Sequence, residues 1–441
     1  MSAIEILGNG PLSGEIEVQG SKNAVLPMMA AAVLGNGMTV IENVPKIQDV
    51  YCMMGILNSL GCSCSLKENR LTVDSSGLSG TCVRKEDMEK MRSSVILLAP
   101  LLARQGEACI YYPGGCMIGK RPIDLHLSAL KRFGAEIREE QETGRVWARV
   151  SGRFACLRGA FVELPYPSVG ATENAIFAAV AADGESFLSG CAREPEITAL
   201  CHMLNRMGAR ILGVGTSHLR ISGGLPLHGC TVRADGDRIA AGTYLMAAAA
   251  SMGEIQINGI RSEELRCVTE LLKEAGAFLY TEEDRIFLRS PRPLGEMRAV
   301  TGPYPAYPTD LQSPFMALLC VSEGGEVRET VFENRFRTAG ELNKMGASIR
   351  LYGDRAFVRG RRRLSGCRVQ ALDLRGGAAL VAAGLTAAGR TVVENAEYIK
   401  RGYEDICRDF NLLGGRLRLI GRDVTAPERE PQPPGGEKKM Q

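Results

Sequence analysis

The sequence predicts an α/β protein of two similar domains, each with helices inside a ring of small sheets, and two recurring patterns lead there. The first is an amphipathic stretch ending in an apolar residue, a glycine and usually a small residue. It occurs as Leu57-Asn58-Ser59-Leu60-Gly61-Cys62, Leu130-Lys131-Arg132-Phe133-Gly134-Ala135, Leu204-Asn205-Arg206-Met207-Gly208-Ala209, Leu272-Lys273-Glu274-Ala275-Gly276-Ala277, Leu342-Asn343-Lys344-Met345-Gly346-Ala347 and Asn411-Leu412-Leu413-Gly414-Gly415. Each glycine stands where a helix C-cap needs a left-handed residue, and alternating segments such as 135–137 and 347–351 then read as strands. The period is roughly 70 residues, longer than that of common solenoids. The second pattern is a set of stretches that are nearly all apolar or small, at 23–34, 94–103, 171–182, 239–251, 311–321 and 378–388. A helix that is apolar all round has to be buried on every side. Each repeat thus supplies one central helix, one amphipathic helix and several strands, and six repeats fall into two groups of three.

Composition narrows the class. A chain of 441 residues, 45% hydrophobic and 23% charged, can bury the cores of two or three domains and should be a soluble globular protein. No stretch reaches about 18 charge-free apolar residues, the length of a membrane span. The first residues carry Glu5, Glu15 and Glu17 without a continuous apolar run, which predicts no secretory signal. The 14 cysteines are scattered, and Cys62-x-Cys64 has no second pair or histidines at zinc-ligand spacing. Free thiols in a reducing cytoplasm, with no metal, are therefore expected. A net charge of +3 and 5% aromatic residues give no basis for nucleic-acid binding. Arg361-Arg362-Arg363 reads as a solvated turn.

Chemistry concentrates in two places. In Pro113-Gly114-Gly115-Cys116-Met117-Ile118-Gly119-Lys120-Arg121-Pro122, a thiol lies among three glycines beside two cations. Glycine lets such a segment move, and nearby cations favour thiolate over thiol. The alternative is a surface turn with an incidental cysteine. The other place is the set of polar residues opening the buried stretches: Ser21-Lys22-Asn23, Arg92-Ser93-Ser94, Ser168-Val169-Gly170, Asp237-Arg238, Thr309-Asp310 and Asp373-Leu374-Arg375. Helix N-termini bind anions, so three from each domain facing one cleft would hold a polyanionic ligand. Ordinary capping suffices for the serines, the threonine and one aspartate. It does not explain Lys22 and Arg92, cations at the electrostatically unfavourable end of a helix.

Lys22-Asn23, the Pro-Gly-Gly-Cys segment, Arg121-Pro122, Pro308-Thr309-Asp310, Val331-Phe332-Glu333-Asn334-Arg335-Phe336, Asp373-Leu374-Arg375 and Arg401-Gly402-Tyr403-Glu404 together resemble the UDP-N-acetylglucosamine enolpyruvyltransferase (1-carboxyvinyltransferase) family of the EPSP synthase superfamily. The motifs run in order over about 4–420. The resemblance implies the enolpyruvyltransferase fold, two inside-out α/β domains of three repeats each, here 22–235 and 1–21 with 236–425, leaving 426–441 as a disordered tail. It implies transfer of enolpyruvyl from phosphoenolpyruvate to the 3-hydroxyl of UDP-N-acetylglucosamine with release of phosphate, the first committed step of peptidoglycan precursor synthesis. The chemistry is addition followed by elimination, without a cofactor.

The same resemblance assigns roles. Cys116 would deliver the proton to the methylene carbon and would be the thiol open to alkylators such as fosfomycin; Asp310 would be the base for the 3-hydroxyl. Lys22, Arg121 and Arg401 would grip the phosphate and carboxylate of phosphoenolpyruvate, with Arg92 close by. Asn23, Pro122, Ile123, Asp124, Leu125, Ser168, Val169, Gly170 and Val331 match positions lining the uridine nucleotide site, which Arg92, Arg121 and Asp310 also reach. Asp49, Arg335 and Asp373 would support the reacting centre. Other readings stand beside these: Arg335 and Arg375 as surface salt-bridge partners, Asp124 as a first-turn helix acid, His126 as structural, and Glu194 and Glu196 as an acidic helix start. The chain also departs from the family pattern, with Gln48 where a lysine is usual, Ala240 where an acid follows Asp-Arg-Ile, Lys400 where aspartate is common and Gly376-Gly377 for Ala-Ser. A catalytically weak or silent binding paralogue and a 5-enolpyruvylshikimate-3-phosphate synthase are the competing functions.

Overall fold

A computed structural model of the chain describes residues 2–8, 10–112, 122–151, 156–361 and 363–421. The expected tail at 426–441 and the segment 113–121, with Cys116 and Arg121, lie outside them. The six apolar stretches are helical. They form Lys22–Ala32, the 3₁₀ turn Arg92–Leu97 running into Leu98–Gln105, Val169–Ala181, Arg238–Ala250, the 3₁₀ turn Thr309–Leu311 running into Gln312–Val321, and Leu374–Thr386. Two of the six thus begin in 3₁₀ geometry, one turn ahead of the α-helix that the apolar pattern marks.

Around these helices the described residues form six sheets. Five are four-stranded mixed sheets in which one edge strand is parallel to its neighbour and the remaining pairs are antiparallel; the sheet of Arg368–Gln370, Arg390–Glu394, Ala3–Leu7 and Leu417–Ile420 is one example. The sixth has three strands, Glu107–Tyr111, Arg145–Arg149 and Glu136–Glu140. All six repeat glycines have positive φ, from +80° at Gly414 to +111° at Gly208, so the helix-ending function read from the sequence is the one they perform. A further device went unread. In repeats three, five and six, the asparagine of the signature grips the strand that follows from both sides: Asn205 with Ile211, Asn343 with Ile349 and Asn411 with Leu417.

The buried apolar side chains gather into two clusters. One runs from Ala24 to Ala234 and the other combines residues 4–18 with 239–417. In the second, helices Arg238–Ala250, Gln312–Val321 and Leu374–Thr386 pack on one another. The chain crosses between clusters twice, and the crossings are tied together: Ser21 N–H donates to Asp235 O at 2.8 Å, Asp237 N–H to Gln19 O at 2.8 Å, and Gly20 bridges Gly236.

Gly376 and Gly377 are accommodated by their neighbours. A Cβ at 377 would lie 2.7 Å from Ile399 Cγ1 and 2.9 Å from the Ala371 Cβ, and one at 376 would lie 2.4 Å from Thr338 Oγ1. The space a larger pair would need is already filled. Gly377→Ser should therefore destabilise the chain, by about 1–3 kcal/mol of overpacking despite serine's better helix propensity, and Ile399→Val in the same chain, which removes Cδ1 at 3.2 Å but keeps Cγ1 at 2.7 Å, should restore little of the loss. Chemical denaturation of the three proteins checks this; a stabilised single variant would refute the packing account.

Candidate active site

The openings of the buried helices carry the charged residues, and Asp49 joins two of them across the molecule. It lies in the first turn of Gln48–Ser59, is buried, and accepts from Lys22 Nζ at 3.2 Å, from Arg401 Nε at 2.9 Å and from Arg401 Nη2 at 3.4 Å. Lys22 and Asp49 belong to the first half of the chain and Arg401, at the end of the 3₁₀ turn Ala396–Arg401, to the second. Burial pulls the Lys22 ammonium below its usual pKa, with Arg375 and Arg401 adding to the effect against Asp49 and Asp310. For Asp49, burial acts upward but the two cations outweigh it and hold the carboxyl low. Part of what offsets Lys22 at its helix start is therefore a protein carboxylate.

Asp310, in the turn ahead of Gln312–Val321, accepts from Arg335 Nη2 at 2.8 Å on one oxygen, and from Arg375 Nε at 3.3 Å and Nη2 at 3.1 Å on the other. Arg335 and Arg375 are 2% and 3% exposed, which rules out the surface salt-bridge alternative. Asp373 caps its helix, accepting from Arg375 N–H at 2.9 Å and Gly376 N–H at 2.8 Å, and so fixes the turn that presents Arg375. The capping expectation needs correction. Ser168, Asp237 and Asp373 cap through their side chains. Ser21 makes no side-chain cap, Ser94 donates to Met91 O, and Thr309 donates to Glu329. Lys22 feels Asp49, Asp310, Arg375 and Arg401 together, and Arg335 pairs with Asp310, so Lys22, Asp49, Asp310, Arg335, Arg375 and Arg401 form one charged group spanning both halves, with Asp373 fixing the turn behind Arg375.

A second group sits at the start of Val169–Ala181. Gly170 packs so closely on His126 that a Cβ there would lie 2.9 Å from Cε1. This brings Ser168, Val169 and Gly170 to the start of Asp124–Arg132, where Pro122 and Asp124 are exposed, Leu125 half-buried and Ile123 buried. Asn174 locks the junction: its Nδ2 donates to His126 Nδ1 at 2.8 Å and to Val95 O at 3.2 Å, and its Oδ1 accepts from Ala99 N–H at 3.0 Å. Burial, with a smaller push from Arg92 and against Asp124, drives His126 down to about 4, so it is a neutral structural group and places Arg92 in the same neighbourhood. Asn23 and Val331 are half-buried, the first in helix Lys22–Ala32 and the second in the turn whose N–H groups Glu329 holds.

Glu194 and Glu196 face the other half of the molecule. Glu196 makes a paired contact to buried Arg238, Oε1 to Nε at 3.1 Å and Oε2 to Nη2 at 3.3 Å, and Glu194 Oε1 accepts from Tyr304 N–H at 3.2 Å. Sequence reasoning missed Asn174 and Glu173, which lie inside a stretch read only as apolar core.

The chain resembles known proteins along its length. Residues 6–410 match the family described as EPSP synthase (3-phosphoshikimate 1-carboxyvinyltransferase). This chain belongs to that family. Within the family, it is 43% identical to a UDP-N-acetylglucosamine 1-carboxyvinyltransferase of Cellvibrio japonicus, over 95% of this chain and 100% of that one. It is also 43% identical to UDP-N-acetylglucosamine 1-carboxyvinyltransferase 2 of Caldanaerobacter subterraneus subsp. tengcongensis, over 96% of this chain and 99% of that one. The fold is that of the enolpyruvyl transferase NikO from Streptomyces tendae, with a TM-score of 0.83 at 24% identity over 95% of this chain and 98% of that one. EPSP synthase from Acinetobacter baumannii gives 0.73 at 19% identity, over 96% and 100%. Both likenesses are of fold, and they agree with the enolpyruvyltransferase architecture that the resemblance implies. Among the described residues, no helix is long and apolar enough to cross a membrane.

Burial, reinforced by Glu196 and Glu194, pushes Glu173 up to about 8, so the folded chain keeps it protonated at pH 7 while the unfolded chain ionises it. The stabilisation is complete below the unfolded value near 4.5 and is lost as pH rises toward 8. Glu173→Gln should therefore lose less stability between pH 5.5 and 8.5 than the parent chain, by on the order of 3 kcal/mol, in urea denaturation at the two pH values. Parallel losses in both proteins would refute it.

Proposed function

We propose that the chain transfers enolpyruvyl from phosphoenolpyruvate to the 3-hydroxyl of UDP-N-acetylglucosamine, releasing phosphate. The observation that carries this reading is end-to-end similarity to relatives of that name, at 43% identity over 426 residues in one case. The charged group around Lys22, Asp49, Asp310 and Arg401 supports it, because the reaction needs cations for a doubly anionic substrate and a carboxylate beside the accepting hydroxyl.

In this account Lys22 and Arg401 hold the phosphate and carboxylate of phosphoenolpyruvate together with Arg121, and Arg92 lies close by. A guanidinium can meet either anion with two parallel hydrogen bonds. Asp310 takes the proton of the 3-hydroxyl; its anchorage by Arg335 and Arg375 fixes where that proton is received. Cys116 supplies the proton that goes to the methylene carbon, leaving a cationic centre that the hydroxyl oxygen attacks. The tetrahedral adduct then expels phosphate as a proton leaves the methyl group. Asn23, Pro122, Ile123, Asp124, Leu125, Ser168, Val169, Gly170 and Val331 line the nucleotide end. The division at 21/22 and 235/236 belongs to the same proposal, since closing two domains over the substrates excludes water. The free thiols favour the cytoplasm as the compartment.

Phosphate release from phosphoenolpyruvate should require UDP-N-acetylglucosamine and should not occur with shikimate 3-phosphate as acceptor. Release only with shikimate 3-phosphate would make the chain a synthase of the other branch, and release with neither would make it a silent binder. Asp310→Asn should lower kcat by on the order of 10²- to 10⁴-fold in the same assay. An unchanged kcat would remove Asp310 from the proton transfer.

A further inference from the structure

Among the described residues, the three-stranded sheet lacks a parallel edge strand and has a substitute for it. Where the other five sheets carry a parallel edge strand, residues 81–83 meet strand Glu107–Tyr111 through a single bridge between Cys82 and Cys109. Cys109 N–H donates to Thr81 O at 2.7 Å and Val83 N–H donates to Cys109 O at 2.9 Å. The two cysteines are therefore direct cross-strand partners, and their side chains leave the sheet on the same face. Paired strands run about 4.8 Å apart, within the roughly 4.4–6.8 Å between Cα atoms that a disulfide spans.

Both cysteines are free thiols, with Cys82 Sγ donating to Val83 O at 3.8 Å and Cys109 Sγ to Ile110 O at 3.9 Å. Cys109 is fully buried and Cys82 half-buried, so a solution oxidant meets Cys82 first. The Arg145 guanidinium lies within electrostatic reach of both sulfurs, anchored by two hydrogen bonds to Tyr111 Oη at 3.1 and 2.7 Å and stacked near the Tyr111 and Trp147 rings. The neighbouring Cys109 thiol, against burial and with help from Arg145, brings the Cys82 thiol down to about 7, while Cys82 and burial push Cys109 up. Burial instead pushes Cys64, Cys191 and Cys320 up to about 12.

We propose that Cys82 and Cys109 form a reversible dithiol–disulfide couple that reacts with hydroperoxides. The Cys82 thiolate attacks the peroxide oxygen, the O–O bond breaks, and a sulfenic acid and hydroxide form, with sulfur oxidised and peroxide reduced. Cys109 sulfur then displaces the sulfenic oxygen as water, giving the disulfide; for hydrogen peroxide the balance is two thiols and one peroxide to one disulfide and two waters. A thiol reductant reverses the change. The product staples residues 81–83 covalently to the sheet edge that backbone hydrogen bonds now hold.

The test is peptide mapping by mass spectrometry on the full chain after hydrogen peroxide, with remaining thiols alkylated. A linked peptide pair joining Cys82 and Cys109, lost on treatment with dithiothreitol, is the expected result. In Cys109→Ala, the same treatment should leave a Cys82 sulfenic acid that dimedone traps; in Cys82→Ala, Cys109 should stay reduced. Recovery of both cysteines as alkylated thiols at a peroxide dose that oxidises other cysteines of the chain would overturn the proposal. So would Cys82 linked chiefly to a different cysteine. If Cys109→Ala does not fold, Cys109→Ser serves as the trapping variant.

Discussion

A carboxylate buried between two cations from opposite halves of the chain organises this molecule. Asp49 leaves water at a cost that an isolated ion could not meet in a protein interior, and it remains ionised because Lys22 and Arg401 both donate to it. The arrangement ties the halves together at the point where the proposed function calls for positive charge. One carboxylate does not neutralise two cations, and Arg375 and Arg335 add two more beside Asp310. Counting only Lys22, Arg401, Arg335 and Arg375 against Asp49 and Asp310, four cations face two carboxylates, an excess suited to a substrate that carries phosphate and carboxylate together.

The two halves solve one problem differently along their shared boundary. On one side the contacts are cation-rich, around Asp49 and Asp310. On the other, carboxylates crowd a single buried guanidinium: Arg238 is bound by Glu196, while Glu173 and Glu264 are each pushed up to about 8 by burial and neighbouring acids. Protonation of those carboxyls relieves the repulsion. The boundary thus holds fixed charge around Asp49 and Asp310 and neutral acids around Arg238.

Much of the fold was legible because its determinants are local and periodic. Six glycines at helix ends, six apolar stretches and the intervening alternation needed no long-range information, and each glycine adopts the expected positive φ. The stretch read from 94 opens in a 3₁₀ turn before its α-helix begins at Leu98, because a 3₁₀ turn leaves the same apolar pattern as an α-helical one, and the helix read from 378 begins at Leu374, because Arg375, Gly376 and Gly377 interrupt the apolar run. In the site, the cations at helix openings were visible as electrostatic anomalies, but their partners were not. Asp49 is reached only through the family resemblance, not through any local signal, and nothing local distinguishes Asn174, whose donors and acceptors come from Val95, Ala99 and His126. The pairing of Cys82 with Cys109 depends on a bridge between segments 27 residues apart, which neither period reveals.

In the proposed function Arg401, placed by Asp49, is a direct ligand of an anionic substrate. The most direct measurement is calorimetric titration of phosphoenolpyruvate into UDP-N-acetylglucosamine-loaded chain, comparing the parent with Arg401→Lys at one salt concentration. Because lysine keeps the charge but loses the planar two-point contact, the account predicts affinity weaker by about tenfold or more. Equal affinity in the two proteins would contradict it, leaving the Asp49–Arg401 contact as a tie between the halves and no more.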